Sequence, residues 1–385
     1  MTCIYANPAK ARKQANLREF MRFFPNKLAN MTVEITWPIL LGKLLAKSDL
    51  DRAEAGWAMQ QIMSGNATDA QMGGFMMALR GKGETVAELA GLVDVMLQHS
   101  VILDTGSDAV DIVGTGGDMV GTVNISSMAS IVTAATGVPV LKHGSRSASG
   151  KTGSSEMLEV LGIRLDLPPE RVAEIFAEIG LTFFFAPVFH PAMRHVAPVR
   201  KELGVPTTFN FLGPLANPAQ PIATSLGVAN RKMAPLMAAE VAARGKNALV
   251  FRGADGLDEL TTTGLSEIWL VQGGEVREFV LTPTDFGIPQ ASIDQLLGGD
   301  AHHNAEVTRQ LFAGNREGNL AAVRDVVALN AAGGIVAFDL SANTINSQRE
   351  LDEIFDLALK DAYQAIDSGA ASAKLSQWIA ASQQN

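Results

Sequence analysis

Cysteine is nearly missing from this chain: one residue, Cys3, stands close to the start of 385. That excludes a disulfide framework and a thiolate metal site, and it fits a reducing cytoplasm. Basic charge is also scarce. Lys and Arg number 31 against 40 Asp and Glu, a net charge of -9, which argues against a nucleic-acid partner because phosphate neutralisation needs a basic face. No apolar run reaches the roughly 18 residues expected of a membrane span, so no membrane partner is expected. Three signatures of covalent or zinc catalysis are missing too: there is no G-x-S-x-G elbow, no H-E-x-x-H and no cysteine nucleophile. His302-His303 reads as a polar loop, not a metal site.

What remains is long enough for one large domain or two ordinary ones with a sizeable core. The first 30 residues hold six Lys/Arg against one Glu and lack the apolar stretch of a secretory signal. Residues 1–33 are therefore set apart from the fold as a basic N-terminal extension; its first 30 residues read as an extension ahead of a natural start at Met31, with an organelle transit peptide as the weaker alternative. From 34 to 100 the pattern is helical. Four short helices follow one another, with Asp or Ser before Arg52, Thr68 or Asp69 as a later cap, and Gly65 and Gly81 as stops. Methionines at 59, 63, 72, 76, 77 and 96 read as core filler. From 101 to 385 short apolar runs alternate with helical ones, which predicts an α/β domain with a mainly parallel sheet covered on both faces. The stretch 266–281 reads as a hairpin turning at Gly273-Gly274.

Four segments could carry chemistry, each just after an expected strand, where α/β sheets bind ligands. The first is DIVGTGGDMVGTVNISS, Asp111 to Ser127. Met119 occupies the place of the third glycine of a dinucleotide fingerprint, and no lysine follows as in a Walker A loop. Glycines let backbone N–H groups converge on an oxyanion, and the helix opening at Asn124 adds a partial positive charge. The second is LKHGSRSASGKTGSSE, where Lys142, His143, Arg146 and Lys151 gather in an otherwise acidic protein. The third is HPAMRHVAPVRKELG, expected to be a helix carrying Arg194 and Arg200, with Pro198 kinking or delimiting it. A planar guanidinium there suits a carboxylate. The fourth is FRGADGLDEL, with Asp255, Asp258 and Glu259 as hard ligands suited to Mg2+. Phosphate cradles and metal carboxylates without a nucleophile point to a transferase that works by positioning and charge stabilisation.

The ordered set GTGGD, NIS, KHGSR, HPAMRHVAPVR, FNFLGPLANP and DGLDE resembles the anthranilate phosphoribosyltransferase family of tryptophan biosynthesis, from about Trp37 to the C-terminus. The resemblance implies a small helical domain plus a large α/β domain, the nucleoside phosphorylase class II-like fold, with helices around 190–216 joining the helical domain. It implies a homodimer, and transfer of the phosphoribosyl group of phosphoribosyl pyrophosphate (PRPP) to anthranilate with Mg2+. By position, Gly114, Gly117, Asp118, Thr122, Asn124, Ile125, Ser126 and Ser127 would hold PRPP, with Lys142, His143, Gly144, Ser145, Arg146, Ser147, Ala148, Ser149, Gly150 and Ser154. Ser126, Asp258 and Glu259 would bind Mg2+. Gly114, His143, Ser145 and Arg200 would face anthranilate. Gly114, Lys142, Asp258 and Glu259 would stabilise the transition state. The family has Asn where this chain has Ser145, which implies a lost or water-bridged contact to anthranilate. Two other readings share the architecture: a pyrimidine nucleoside phosphorylase, which needs no acidic metal pair, and a non-catalytic nucleotide-binding relative.

Overall fold

The computed structural model describes residues 34–106, 108–146 and 152–384. It opens with four helices: α1 (Trp37–Leu45), α2 (Arg52–Met63), α3 (Asp69–Lys82) and α4 (Val86–Gln98). Three successive capping boxes start α2, α3 and α4, pairing Asp51 with Glu54, Thr68 with Gln71 and Thr85 with Glu88. Helix α3 runs two residues past the expected stop at Gly81 and ends at Gly83, whose φ of +96° breaks it. Glu88 does more than cap. Fully buried, it also accepts from Leu50 N at 2.9 Å and pairs with Lys82 at 3.0 Å, which ties the α1–α2 connection to α4.

The rest alternates. In order come β1 (Val110–Gly114), α5 (Ile125–Ala135), β2 (Val140–Gly144), α6 (Ser154–Leu161), α7 (Pro169–Ile179), β3 (Leu181–Phe185) and α8 (Ala186–Phe189). Then follow α9 (Ala197–Leu203), α10 (Phe209–Leu215), β4 (Ala223–Gly227), α11 (Met233–Ala243), β5 (Asn247–Gly253), β6 (Ser266–Gln272) and β7 (Glu275–Leu281). Helices α12 (Ala301–Phe312), α13 (Leu320–Asp339), α14 (Gln348–Asp367) and α15 (Ala370–Gln383) close the chain. The sheet order is β3-β2-β1-β4-β5-β6-β7, parallel through β5 and antiparallel for the last two strands. Gly273 and Gly274 both have positive φ, as a tight hairpin turn requires.

The single helix expected around Arg194 and Arg200 is broken into pieces. Arg194 lies on a 3-10 turn, Pro191–His195, and Arg200 on α9, with Pro198 in the first turn of α9. Proline has no N–H to give to a preceding turn, so it starts the new helix instead of continuing an old one.

Two apolar cores flank the sheet. One joins β1–β3 to α5–α7 and α12–α15. The other packs the four N-terminal helices with Val196, Val199, Phe209, Phe211 and Leu212 against α11 and the opposite sheet face. Helix α13 is the one exception to the expected lack of membrane-length apolar runs: among the described residues it alone is long and apolar enough by composition. It is instead sandwiched in the core, so close that a Cβ on Gly334 would meet Ile112 Cδ1 at 2.5 Å.

Strand order reverses at β1, whose neighbours are β2 on one side and β4 on the other. This switch point leaves a crevice beyond the carboxyl ends of β1 and β4, the expected ligand position in an open α/β sheet. Gly114 and Gly227 pair there. The loop after β5 is fixed from beneath by Asn330 of α13, which accepts from Leu260 N at 2.9 Å and donates to Leu260 O at 2.8 Å. Replacing Asn330 with Leu leaves both buried main-chain groups of Leu260 unpaired. The expected loss is about 1–3 kcal/mol for each group, read as a lower urea midpoint with an unchanged m-value.

Candidate active site

The four motifs converge on one cleft of about 890 Å³, lined from the strand side by the glycine loop, Lys142 to Arg146, and Asp258-Glu259. The opposite wall comes from Ala186 to Arg200 and from Phe209 to Pro214 of α10. The glycine loop leaves β1 through Gly116 and Gly117 at φ +67° and +83°, where a Cβ would be strained. Met119, where the dinucleotide fingerprint would place glycine, has φ +61° and is 80% exposed on the cleft rim. Asn124 caps α5 by position only. Its side chain accepts instead from Asn304 Nδ2 at 2.8 Å, and the first helical N–H groups are met by other partners, Ile125 N by Val123 O at 2.7 Å and Ser126 N by Glu259 at 3.2 Å.

The acidic loop fits against the strand ends with almost no clearance. Asp258 Oδ2 accepts from Gly116 N at 2.6 Å. A Cβ on Gly114 would lie 2.2 Å from that oxygen, and one on Gly227 would lie 1.7 Å from the main-chain oxygen of Asp258. Glu259 accepts from Ser126 N at 3.2 Å, so the carboxylate pair spans from the glycine loop to the first turn of α5. Lys142 reaches the same spot from β2: Nζ donates to Ile112 O and lies 3.5 Å from Ser126 Oγ.

Burial and mutual repulsion govern the charges. Burial first, then the charge of Asp118, push Asp258 up to about 7. Burial and neighbouring Asp258 hold Glu259 well above the ordinary carboxylate range. Burial also lowers Lys142, although Asp111, Glu259 and Asp258 oppose that. Among the described residues no three of His, Cys, Asp and Glu cluster closely enough to hold an ion by themselves. Two adjacent carboxylates are the usual protein share of a Mg2+ site whose other ligands are water and phosphate, so the donor set fits Mg2+.

Where the two walls meet, His143 of β2 and His190 of the opposite wall stand with ring centroids 5.1 Å apart. Burial pushes His143 down to about 3, aided by His190, and His190 down to about 4. Both rings are therefore neutral near pH 7. Arg200 lines the cleft with no hydrogen bond or ion pair among the described residues, and burial lowers its pKa.

Most of the expected site residues line this cleft: Gly114, Gly117, Asp118, Thr122, Asn124, Ile125, Ser126, Lys142, His143, Gly144, Ser145, Arg146, Ser154, Arg200, Asp258 and Glu259. Ser127 does not. It is fully buried one residue behind the lining, because successive residues at a helix start point to different sides. Asp255, the third acid of the expected metal group, is turned to Thr261 and Thr263 at 2.6 and 2.5 Å and stabilises its own loop. His302 and His303 lie in the first turn of α12, capped by Asp300. Ser147, Ala148, Ser149, Gly150 and Lys151, like residues 1–33, lie outside the described residues. Sequence reasoning missed His190, although its motif was in view, and it missed the segment Leu296 to Gly299. That segment stitches the glycine loop from outside through Val123 N to Leu296 O and Gly298 N to Gly121 O, at 3.0 and 2.9 Å.

Two family models match the chain: the helical bundle domain of a glycosyl transferase family over residues 38–100, and the a/b domain of a glycosyl transferase family over 106–372. The anthranilate phosphoribosyltransferase of Leifsonia xyli is 53% identical over 346 residues, covering 90% of this chain and 98% of that protein. That of an Arthrobacter strain is 52% identical over 345 residues, covering 90% and 96%. The chain belongs to the anthranilate phosphoribosyltransferase family. Among solved structures, the Thermus thermophilus enzyme of this family superposes with a TM-score of 0.80 at 38% identity, covering 90% of this chain and 99% of that one. The Saccharomyces cerevisiae enzyme, in complex with PRPP and Mg, gives a TM-score of 0.79 at 27% identity, covering 91% and 98%.

Two predictions come from this geometry. Gly227→Ala must displace the main chain at Asp258, so turnover is expected to fall about 100-fold, as for a misplacement of about 1 Å, with a lower Tm in the same protein. The second concerns acid. His143 and His190 have folded pKa values below the unfolded value, so the unfolded state binds more protons between them. Their stabilising contribution is complete above about pH 6.5 and is lost as pH falls toward about 4 and then 3. Urea titrations across that range should show a shallower loss of stability in His190→Gln than in the parent.

Proposed function

We propose that this chain transfers the phosphoribosyl group of PRPP to the amine of anthranilate, giving N-(5-phosphoribosyl)anthranilate and pyrophosphate, within tryptophan biosynthesis. One observation carries the reading: a half-buried carboxylate pair, Asp258-Glu259, meets the glycine loop, the first turn of α5 and Lys142 at the topological switch point. That combination suits a metal-bound pyrophosphate better than a free phosphate or a bare nucleotide.

In this reading the glycine loop and the start of α5, from Gly114 to Ser126, cradle the phosphates through N–H groups. Lys142 to Arg146 and Ser154 close the strand side. Ser126, Asp258 and Glu259 hold Mg2+, which supplies charge neutralisation on the departing pyrophosphate. Arg200, unpaired among the described residues, takes the carboxylate of anthranilate, and Gly114 and His143 border its ring. The bond from ribose C1 to pyrophosphate breaks as the aniline nitrogen bonds to C1, through an oxocarbenium-like transition state. The amine is neutral at pH 7, so no strong base is required before attack, and its proton leaves after the new bond forms. Ser145, exposed on the cleft wall and shorter than asparagine, leaves room for a water between it and anthranilate. A homodimer and a cytoplasmic location belong to the same proposal.

Mixing the protein with anthranilate, PRPP and Mg2+ should give a fall in anthranilate fluorescence that stops with EDTA. No fall from well-folded protein would overturn the reading and move the test to phosphorolysis of thymidine or uridine. Asp258→Asn combined with Glu259→Gln should reduce kcat far more than His143→Ala does. Similar losses in the two variants would sink the ranking of metal carboxylates above the histidine.

A further inference from the structure

The two histidines where the walls meet, His143 of β2 and His190, share an unusual dependency. Each gives its N–H to a main-chain carbonyl of the same short segment: His143 Nδ1 to Gly213 O at 3.1 Å, and His190 Nε2 to Ala216 O at 2.9 Å. A carbonyl only accepts, so each contact fixes which nitrogen carries the proton. His143 is thereby left with a bare Nε2, buried and without a hydrogen-bond partner, in a residue that lines the cleft. An unpaired buried acceptor is costly unless something arrives to use it.

The position of the segment that sets this tautomer rests on Asn217. Its Nδ2 donates to Asp111 Oδ2 at 2.8 Å and to Leu141 O at 2.8 Å, and its Oδ1 accepts from Ala219 N at 3.0 Å. The other oxygen of Asp111 accepts from the main-chain N of His143 at 3.0 Å. Asp111 is fully buried and Asn217 is 6% exposed. Stability alone is a weak reason for a buried carboxylate, since well-packed apolar residues often do as well. The distinctive feature is geometric. One carboxylate holds both the backbone of the histidine and the segment that receives the proton of its ring.

We propose that Asp111 and Asn217 are positioning residues for the acceptor substrate. Together they lock Gly213 to Asn217 against β2, fix the Nδ1–H form of His143, and leave its Nε2 to accept a hydrogen bond from the substrate amine. The identity of that amine as anthranilate rests on the proposed function. The phosphate side of the cleft is built on β1, β2, α5 and the loop after β5, and although Asp111 acts by charge on Lys142 there, Asn217 makes no hydrogen bond to any of the phosphate-side residues named above.

Removal of the clamp should therefore separate the two substrates. Asn217→Ala is expected to raise KM for anthranilate about tenfold while KM for PRPP stays within about twofold. The swapped pair Asp111→Asn with Asn217→Asp restores a donor facing an acceptor and should recover part of the loss, whereas Asn217→Asp alone sets carboxylate against carboxylate and should not. An unchanged KM for anthranilate in Asn217→Ala, or equal rises for both substrates, would overturn the proposal. Nitrogen NMR of the parent protein with labelled histidine decides the tautomer independently of any variant's folding. A proton on Nδ1 and none on Nε2 of His143 supports the clamp, and a protonated Nε2 rejects it. If the parent turns over no anthranilate, the proposed function fails, while the same spectrum still decides the clamp.

Discussion

The whole site depends on how closely Asp258 approaches two strand ends. Gly114 of β1 and Gly227 of β4 pair at the switch point, and Asp258 lies where either glycine would carry a Cβ. No other residue fits at either position without moving the acidic loop. That contact brings a carboxylate from one end of the sheet within 2.6 Å of the glycine-loop N–H at Gly116. From beneath, Asn330 fixes the next residues of the same loop to α13, a helix packed within the core. The core thus reaches the reacting centre through very few side chains, and packing defects in α13 become errors in the position of a carboxylate.

The same crowding creates an electrostatic imbalance. Asp118, Asp258 and Glu259 crowd together at the half-buried floor of the cleft, and Lys142 is the cation among them. Burial and like charge make the carboxylates hold protons more tightly than usual, which is the signature of a site arranged for a guest of opposite charge. On the proposed function, a divalent cation would relieve that repulsion, and a pyrophosphate brought with it would meet the helix start and Lys142. The acids and the lysine would be a poor way to stabilise the fold alone. They make sense as two halves of a cradle for a metal-bound anion.

Much of this was legible in the sequence, for identifiable reasons. Alternating apolar runs and Gly or Pro punctuation depend on local geometry, so the strands, the hairpin at Gly273-Gly274 and the capped helices could be read in place. The glycine loop and the DGLDE segment could be read because close backbone approach and hard oxygen ligands require particular residue types. Other parts could not be read. Pro198 did mark a helix boundary within the third motif, but that Arg194 would lie on a separate 3-10 turn was not legible. Asp255 looked like a third metal ligand, yet two nearby threonines engage it. Leu296 to Gly299 meets the glycine loop from far along the chain, and nothing local to either segment announces the contact. The apolarity of α13 reflects burial on several sides.

The two walls of the cleft divide the chemistry between them. The strand-side wall is rich in charge and main-chain N–H groups and hangs from β1, β2 and the β5 loop. The opposite wall offers His190, an arginine side chain without a partner among the described residues and apolar surface from Phe209 and Pro214, and His143 of β2 faces His190 where the walls join. Both cores reach both walls, since Val113 of β1 packs with Val196, Val199 and Phe209, while Phe189 packs with Ile112 and Ile125. On the proposed function, a charged donor and a flat, monoanionic acceptor would lie on walls that are tied together at Asp111, Asn217 and His143. The position where β1, β2 and the segment after α10 share hydrogen bonds is thus the point at which the two halves of the site must agree in register.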